Sequence, residues 1–201
     1  AEVVAEIAAL GARAVAVPCH VGEWDGLGVL IDGALARFGR IDTLINNAGI
    51  APTAPGSAET TEALFDKIFA VNTKGPFRLS ALARPHLAKT GGSIINVTSI
   101  GAVRPDPAYG VYAAAKGALN ILTRSQAMEF GPEVRVNAIM AGPFWTDIAR
   151  SWREAYDADA PSAARRMGRP DEVVTSALYL ASPASAYVTG SILRVDGGIV
   201  L

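Results

Sequence analysis

Tyr112 and Lys116 stand four residues apart in the stretch AYGVYAAAKGALN, residues 108–120. On a helix that spacing puts both side chains on one face, one turn apart. An ordinary phenol has a pKa of about 10, so only about 0.1% of it is ionised at pH 7. A nearby ammonium stabilises the phenolate and turns the phenol into a usable proton donor and acceptor. A shift of about 3 units takes about 4 kcal/mol, more than one lysine near solvent supplies. Tyr109 has Ala113 at the same spacing, so it reads as a pocket wall or as packing. Five tyrosines and four lysines share the chain of 201 residues. A pair at this spacing therefore arises by chance roughly one time in ten, and the pair alone is weak.

Three further features follow in order along the chain. Asn46, Asn47, Ala48 and Gly49 form NNAG after an apolar run. Asn72 lies inside a helical pattern, in AVNTKGPF. Ser99 closes another apolar run, thirteen residues before Tyr112. The elements that must position them alternate between short β-branched runs and helical periodicity. Strands are expected at 12–19, 41–49, 91–99, 134–142 and 191–198. Helices are expected at 23–39, ended by Gly39, and at 60–89, with Thr60 or Thr61 as N-cap. Pro76 and Pro85 are expected to kink or interrupt the second of these. Further helices are expected at 112–130, stopped by Gly131-Pro132, and at 169–182, favoured by Pro170 at its start. Residues 104–110 and 143–168 read as irregular. Strands apolar on both faces and separated by helices are the pattern of a parallel sheet covered on both sides. In such a sheet, ligands bind outside the carboxyl ends of the strands. NNAG, Ser99 and the AGPFWTDI stretch (141–148) all fall at such ends.

Bulk properties narrow the function. Half the residues are hydrophobic and 18% are charged, which marks a globular chain with a sizeable core. A net charge of -1 points to neither nucleic acid nor an anionic membrane as partner. No apolar run is long enough to span a bilayer, and AEVVAEIAAL at the start has no basic leader region. The single cysteine, Cys19, has no internal disulfide partner, which fits the cytoplasm. His20 and His86 are distant, so no metal site is expected.

In combination, NNAG, Asn72, Ser99, the Tyr112–Lys116 pair, GPFWTD (142–147) and VDGG (195–198) resemble the short-chain dehydrogenase/reductase family, the shorter kind. The resemblance spans residues 1–201 as one domain. It implies an α/β, Rossmann-like, doubly wound parallel sheet, and a ketoreductase moving hydride between NAD or NADP and a carbonyl or alcohol. Tyr112 is then the general acid and base. Ser99 holds the substrate oxygen, Lys116 lowers the phenol's pKa and binds the nicotinamide ribose, and Asn72 holds a water in a proton relay. The resemblance carries cofactor contacts to His20, Val21, Asn47, Ala48, Gly49, Gly142, Phe144 and Thr146, besides Tyr112 and Lys116. Asn46 is expected to be structural. Trp145, Trp152 and Tyr156 are expected in the substrate loop or in the core, which favours an apolar or ring-bearing small-molecule substrate. Helix 112–130 is rich in Ala and small residues on its exposed side, and the resemblance implies a homodimer or homotetramer packed through it.

The chain departs from the family pattern in three places. No glycine-rich turn for the pyrophosphate precedes Ala1, so the chain is expected to lack the first two strands and to be part of a longer protein. The residues that contact the ribose 2′ position go with them, so NAD and NADP are not distinguished. His20 stands where an acid is usual, and Ala141 where a proline is common. Two other readings compete with the reductase. One is a non-catalytic dinucleotide-binding sensor or scaffold, which need not keep the proton path. The other is an epimerase or dehydratase acting on nucleotide sugars, which generally carries a longer C-terminal domain.

Overall fold

The structure is a computed structural model and describes residues 2–54, 56–149 and 162–200. Trp152 and Tyr156 lie outside the described residues. Four strands, β1 (Thr43–Asn46), β2 (Ser93–Ser99), β3 (Arg135–Ala141) and β4 (Ile192–Val195), form one sheet in the order β1-β2-β3-β4, every pair parallel. The register sets Asn46 beside Asn96, Ser99 beside Ala141, and Ala141 beside Val195. The carboxyl ends of β2, β3 and β4 are thereby level and β1 ends three residues short of them on the same side, which makes that rim of the sheet the place for a site.

Side chains alternate across a strand, so adjacent Ile94 and Ile95 feed different cores. Ile94 packs with Leu27 and Ile31 of the helical stretch before β1, with Leu79, Ala83 and Leu87, and with Ala127 and Phe130. Ile95 packs with Ile139 and Leu180 on the other face. The helices that supply these residues are α2 (Gly28–Phe38), α4 (Gly75–Leu87), α5 (Gly110–Phe130) and α6 (Val174–Ala181). A short helix α1 (Glu2–Ala9) opens the described chain, and α3 (Glu62–Phe69) precedes α4. This is the doubly covered parallel α/β sheet that the apolar runs imply. Among the described residues no helix is long and apolar enough to cross a membrane.

Local signals account for the helix ends. Gly39 takes the left-handed conformation at φ 76° and returns its N–H to the Leu35 carbonyl, which closes α2. The Thr61 hydroxyl accepts the Leu64 N–H at 3.2 Å and starts α3.

Two expectations are corrected. Residues 12–19 enter no strand ladder. Strand backbone groups need a hydrogen-bonded neighbour, and this stretch instead lies against α2, where a Cβ on Gly33 would come 2.9 Å from Val17. Pro85 does not interrupt its helix, because α4 runs through it to Leu87. Pro76 is different: it sits at the start of α4, directly after a turn of π-helix, Ala70–Lys74. The 60–89 helix is therefore two helices joined by a π turn.

Candidate active site

Ser99 is the last residue of β2 and Tyr112 lies in the first turn of α5. Their side chains face each other across Gly101. The Ser99 hydroxyl oxygen also accepts the Gly101 N–H at 3.1 Å. Gly101 lies beside both: a Cβ there would be 3.4 Å from Ser99 Oγ and 3.8 Å from the Tyr112 ring. Burial pushes the Tyr112 phenol above its ordinary pKa, and the nearby Ser99 hydroxyl offsets only part of this. The expected lowering by Lys116 is thus reversed in direction here. The resting phenol is protonated at neutral pH, the form a proton donor needs.

Lys116 follows one turn later on α5 and is 4% exposed. Its Nζ donates to the Val97 carbonyl at 2.8 Å and lies 5.9 Å from the Tyr112 ring centroid. Desolvation lowers its pKa from the usual 10.5 to about 8. An ammonium has three N–H donors, so the Val97 bond leaves further donors for a ligand's hydroxyls.

Asn72 sits in the π turn, fully buried. Its Nδ2 donates to Ile50 O at 2.9 Å and to Ile68 O at 3.0 Å, and its Oδ1 accepts the Ile50 N–H at 3.2 Å. Both amide hydrogens are therefore engaged by the protein. The side chain braces the loop after β1 and has no donor left for a water. Its backbone carbonyl is another matter, because the helical partner four residues on is Pro76, which has no N–H. Single π turns inside helices occur often at functional sites.

A ring of polar contacts that the sequence reading did not single out fixes these pieces to one another. Thr73 donates to the Ala115 carbonyl at 2.9 Å, which ties the π turn to α5 beside Lys116. Asn46 Nδ2 donates to Asn96 Oδ1 at 2.8 Å and to Ser80 Oγ at 3.2 Å. Asn96 Nδ2 donates to Thr123 Oγ at 2.9 Å, and Thr123 donates to Leu119 O at 2.8 Å. Asn46 is a bracing residue, as expected. The available signal for Asn96 was a lone amide inside the apolar strand SIINVTS.

The cofactor-contact candidates divide into three groups. Asn47 and Ala48 are exposed at the carboxyl end of β1. Gly49 joins the cluster: a Cβ there would be 3.0 Å from Asn72 Oδ1 and 3.4 Å from Lys116 Nζ. The bare backbone at 49 and the spare donors on Lys116 fit the diol and amide groups of a nicotinamide nucleoside. Gly142, Phe144 and Thr146 lie on the loop after β3. Gly142 donates its N–H to Val195 O at 2.9 Å, and a Cβ there would be 2.6 Å from the Asp196 Cα. Phe144 pairs with Gly168, and Thr146 is exposed. His20 and Val21 lie against the π turn: a Cβ on Gly75 would come 2.1 Å from Val21 O. His20 is exposed.

The family model described as enoyl-(acyl carrier protein) reductase matches residues 1–200. The 7alpha-hydroxysteroid dehydrogenase of Escherichia coli (strain K12) is 34% identical over 203 residues, which cover 98% of this chain and 78% of that protein. A crystal structure of a short-chain type dehydrogenase/reductase from Mycobacterium marinum superposes with a TM-score of 0.93 at 30% identity, covering 99% of this chain and 80% of that one. A gluconate 5-dehydrogenase from Burkholderia cenocepacia J2315, solved with NADP and tartrate, superposes with a TM-score of 0.91 at 30% identity, covering 98% of this chain and 80% of that one.

Proposed function

The chain belongs to the short-chain dehydrogenase/reductase family, and on that premise we propose that Ser99, Tyr112, Lys116 and Asn72 carry its proton chemistry. The protein is an oxidoreductase that transfers hydride between NAD or NADP and a carbonyl or alcohol carbon. The observation that supports this site most is the placing of Ser99 and Tyr112 together against Gly101, with the buried Lys116 ammonium 5.9 Å from the Tyr112 ring.

In the reductive direction, bound NADH or NADPH supplies the hydride. Tyr112 gives its phenolic proton to the carbonyl oxygen. Ser99 donates its hydroxyl to the same oxygen and fixes it within reach of the phenol. Lys116 holds ribose hydroxyls with the donors that Val97 leaves over, and its charge favours the phenolate once the proton has left. The Asn72 carbonyl accepts a water through which a proton returns toward Lys116. In oxidation Tyr112 takes the alcohol proton instead. Asn47, Ala48, Gly49, Gly142, Phe144 and Thr146 hold the nicotinamide end of the cofactor, and His20 and Val21 its adenine end.

Trp145 on the loop after β3 supports an apolar or ring-bearing substrate. Cys19 is free among the described residues, which supports a cytoplasmic location. The exposed stripe Ala114, Ile121 and Met128 on α5 supports a homodimer or homotetramer, and a clean monomer in light scattering argues against it.

Titration of NADH and of NADPH into the protein, read by tryptophan quenching and energy transfer to the nicotinamide, tests the cofactor reading. Saturable binding of at least one, by this chain or by a form extended at its N-terminus with a glycine-rich turn, is expected and identifies the preferred nucleotide. Absence of binding by both in the extended form as well overturns it.

A further inference from the structure

The loop that carries Gly142, Phe144 and Thr146 is not held by β3 alone. Gly168 donates its N–H to Pro143 O at 2.9 Å, and Trp145 donates its N–H to Gly168 O at 2.9 Å. The contact needs a glycine, because a Cβ at 168 would lie 2.5 Å from the Phe144 ring. Something must in turn hold Gly168. Two residues before it, the Arg166 guanidinium meets the Glu172 carboxylate through two bonds of 2.7 Å each. Arg166 also donates to Met167 O at 3.0 Å, and the Glu172 carboxylate accepts the Arg169 N–H at 2.7 Å. Residues 167–169 are thus gripped from both sides. The same pair walls a cavity of about 130 Å³ whose other lining includes Phe144, Gly168 and Asp196.

The geometry assigns Arg166 and Glu172 as positioning residues that hold the loop Gly142–Thr146 in its cofactor-binding shape through Gly168. This rests on the proposed cofactor role of that loop. A bidentate Arg–carboxylate pair fixes direction as well as distance, which a lysine does not reproduce. The Arg166 guanidinium and the Arg169 N–H hold the Glu172 carboxyl down to about 2, so it stays ionised throughout the range in which proteins of this kind work.

The test compares Glu172→Gln and Arg166→Lys with the unaltered protein. Glu172→Gln is expected to raise KM for the nicotinamide cofactor about tenfold while kcat stays within about threefold. In the nucleotide-free protein the Gly168 and Trp145 amides are expected to exchange with solvent about tenfold faster, with the amides of β2 unchanged. Arg166→Lys, which keeps the charge and loses the fork, is expected to fall between. Wild-type exchange rates at both amides, or an unmoved cofactor KM in both variants, overturns the assignment. A loss of melting temperature with KM and exchange unmoved overturns it too, since that is a stability role only. If neither the unaltered protein nor its N-terminally extended form binds nucleotide, the cofactor reading fails and this assignment fails with it; amide exchange then separates a loop clamp without that role from no clamp.

Discussion

Tyr112→Phe lowers kcat for carbonyl reduction by about a thousandfold and leaves the affinity for NADH or NADPH within about twofold. Phenylalanine keeps the ring that packs beside Gly101 and removes only the O–H on the side of Ser99. The loss corresponds to about 4 kcal/mol of transition-state stabilisation, the middle of what one general acid supplies. Because burial raises the phenol, it stays protonated through neutral pH, and its own titration lies on the alkaline side. Steady-state rates with saturating cofactor, beside a fluorescence titration of the same variant, check the prediction. Near-full turnover in Tyr112→Phe removes Tyr112 from the proton path.

Lys116→Met raises the melting temperature of the nucleotide-free protein by about 4–8 °C at pH 7 while lowering kcat by more than about a hundredfold. The lysine is 4% exposed, and its pKa in the fold is about 8 against 10.5 as an ordinary side chain. That difference is a penalty of about 3 kcal/mol on the folded state at pH 7. Removing the charge relieves it, and the Val97 carbonyl left without its donor takes back about 1 kcal/mol. The sign follows from proton counts. Between pH 8 and 10.5 the unfolded chain still holds the proton that the folded chain has released, so wild-type stability gains from rising pH in that window. Below pH 8 the penalty applies in full, and the variant lacks this gain altogether. Melts of both proteins at pH 7 and pH 10 separate the lysine from other groups. A variant that melts lower than wild type at pH 7 contradicts the account. The site thus keeps an unfavourable buried cation for its chemistry, a common trade between stability and activity.

Much of the sheet was legible because buried parallel strands read as continuous apolar runs, and β2 and β3 are buried along most of their length. The stretch 12–19 has a strand's composition and forms none, since composition cannot say whether a ladder partner stands beside it. The π turn could not be read from periodicity, which sees one helix through 60–89; it needs a carbonyl displaced by Pro76 and an asparagine buried to hold it. Tyr112, Ser99 and Lys116 were legible by type and spacing. The direction of the phenol's shift was not, because desolvation depends on how deeply α5 sits against β2. Arg166 and Glu172 passed unnoticed in a polar stretch because charges at that spacing usually face solvent, and only the backbone link from Gly168 to Pro143 and Trp145 gives them a task.

The most direct test of the central claim is to follow a label. The protein is incubated with NADH or NADPH carrying deuterium at the transferable nicotinamide position, together with a set of cyclic and aliphatic ketones in ordinary water. The account predicts an alcohol that holds deuterium on the carbinol carbon and solvent hydrogen on its oxygen, and predicts that this product vanishes in Tyr112→Phe. Saturable nucleotide binding with no labelled alcohol from any ketone contradicts it and leaves a dinucleotide-binding protein without the chemistry.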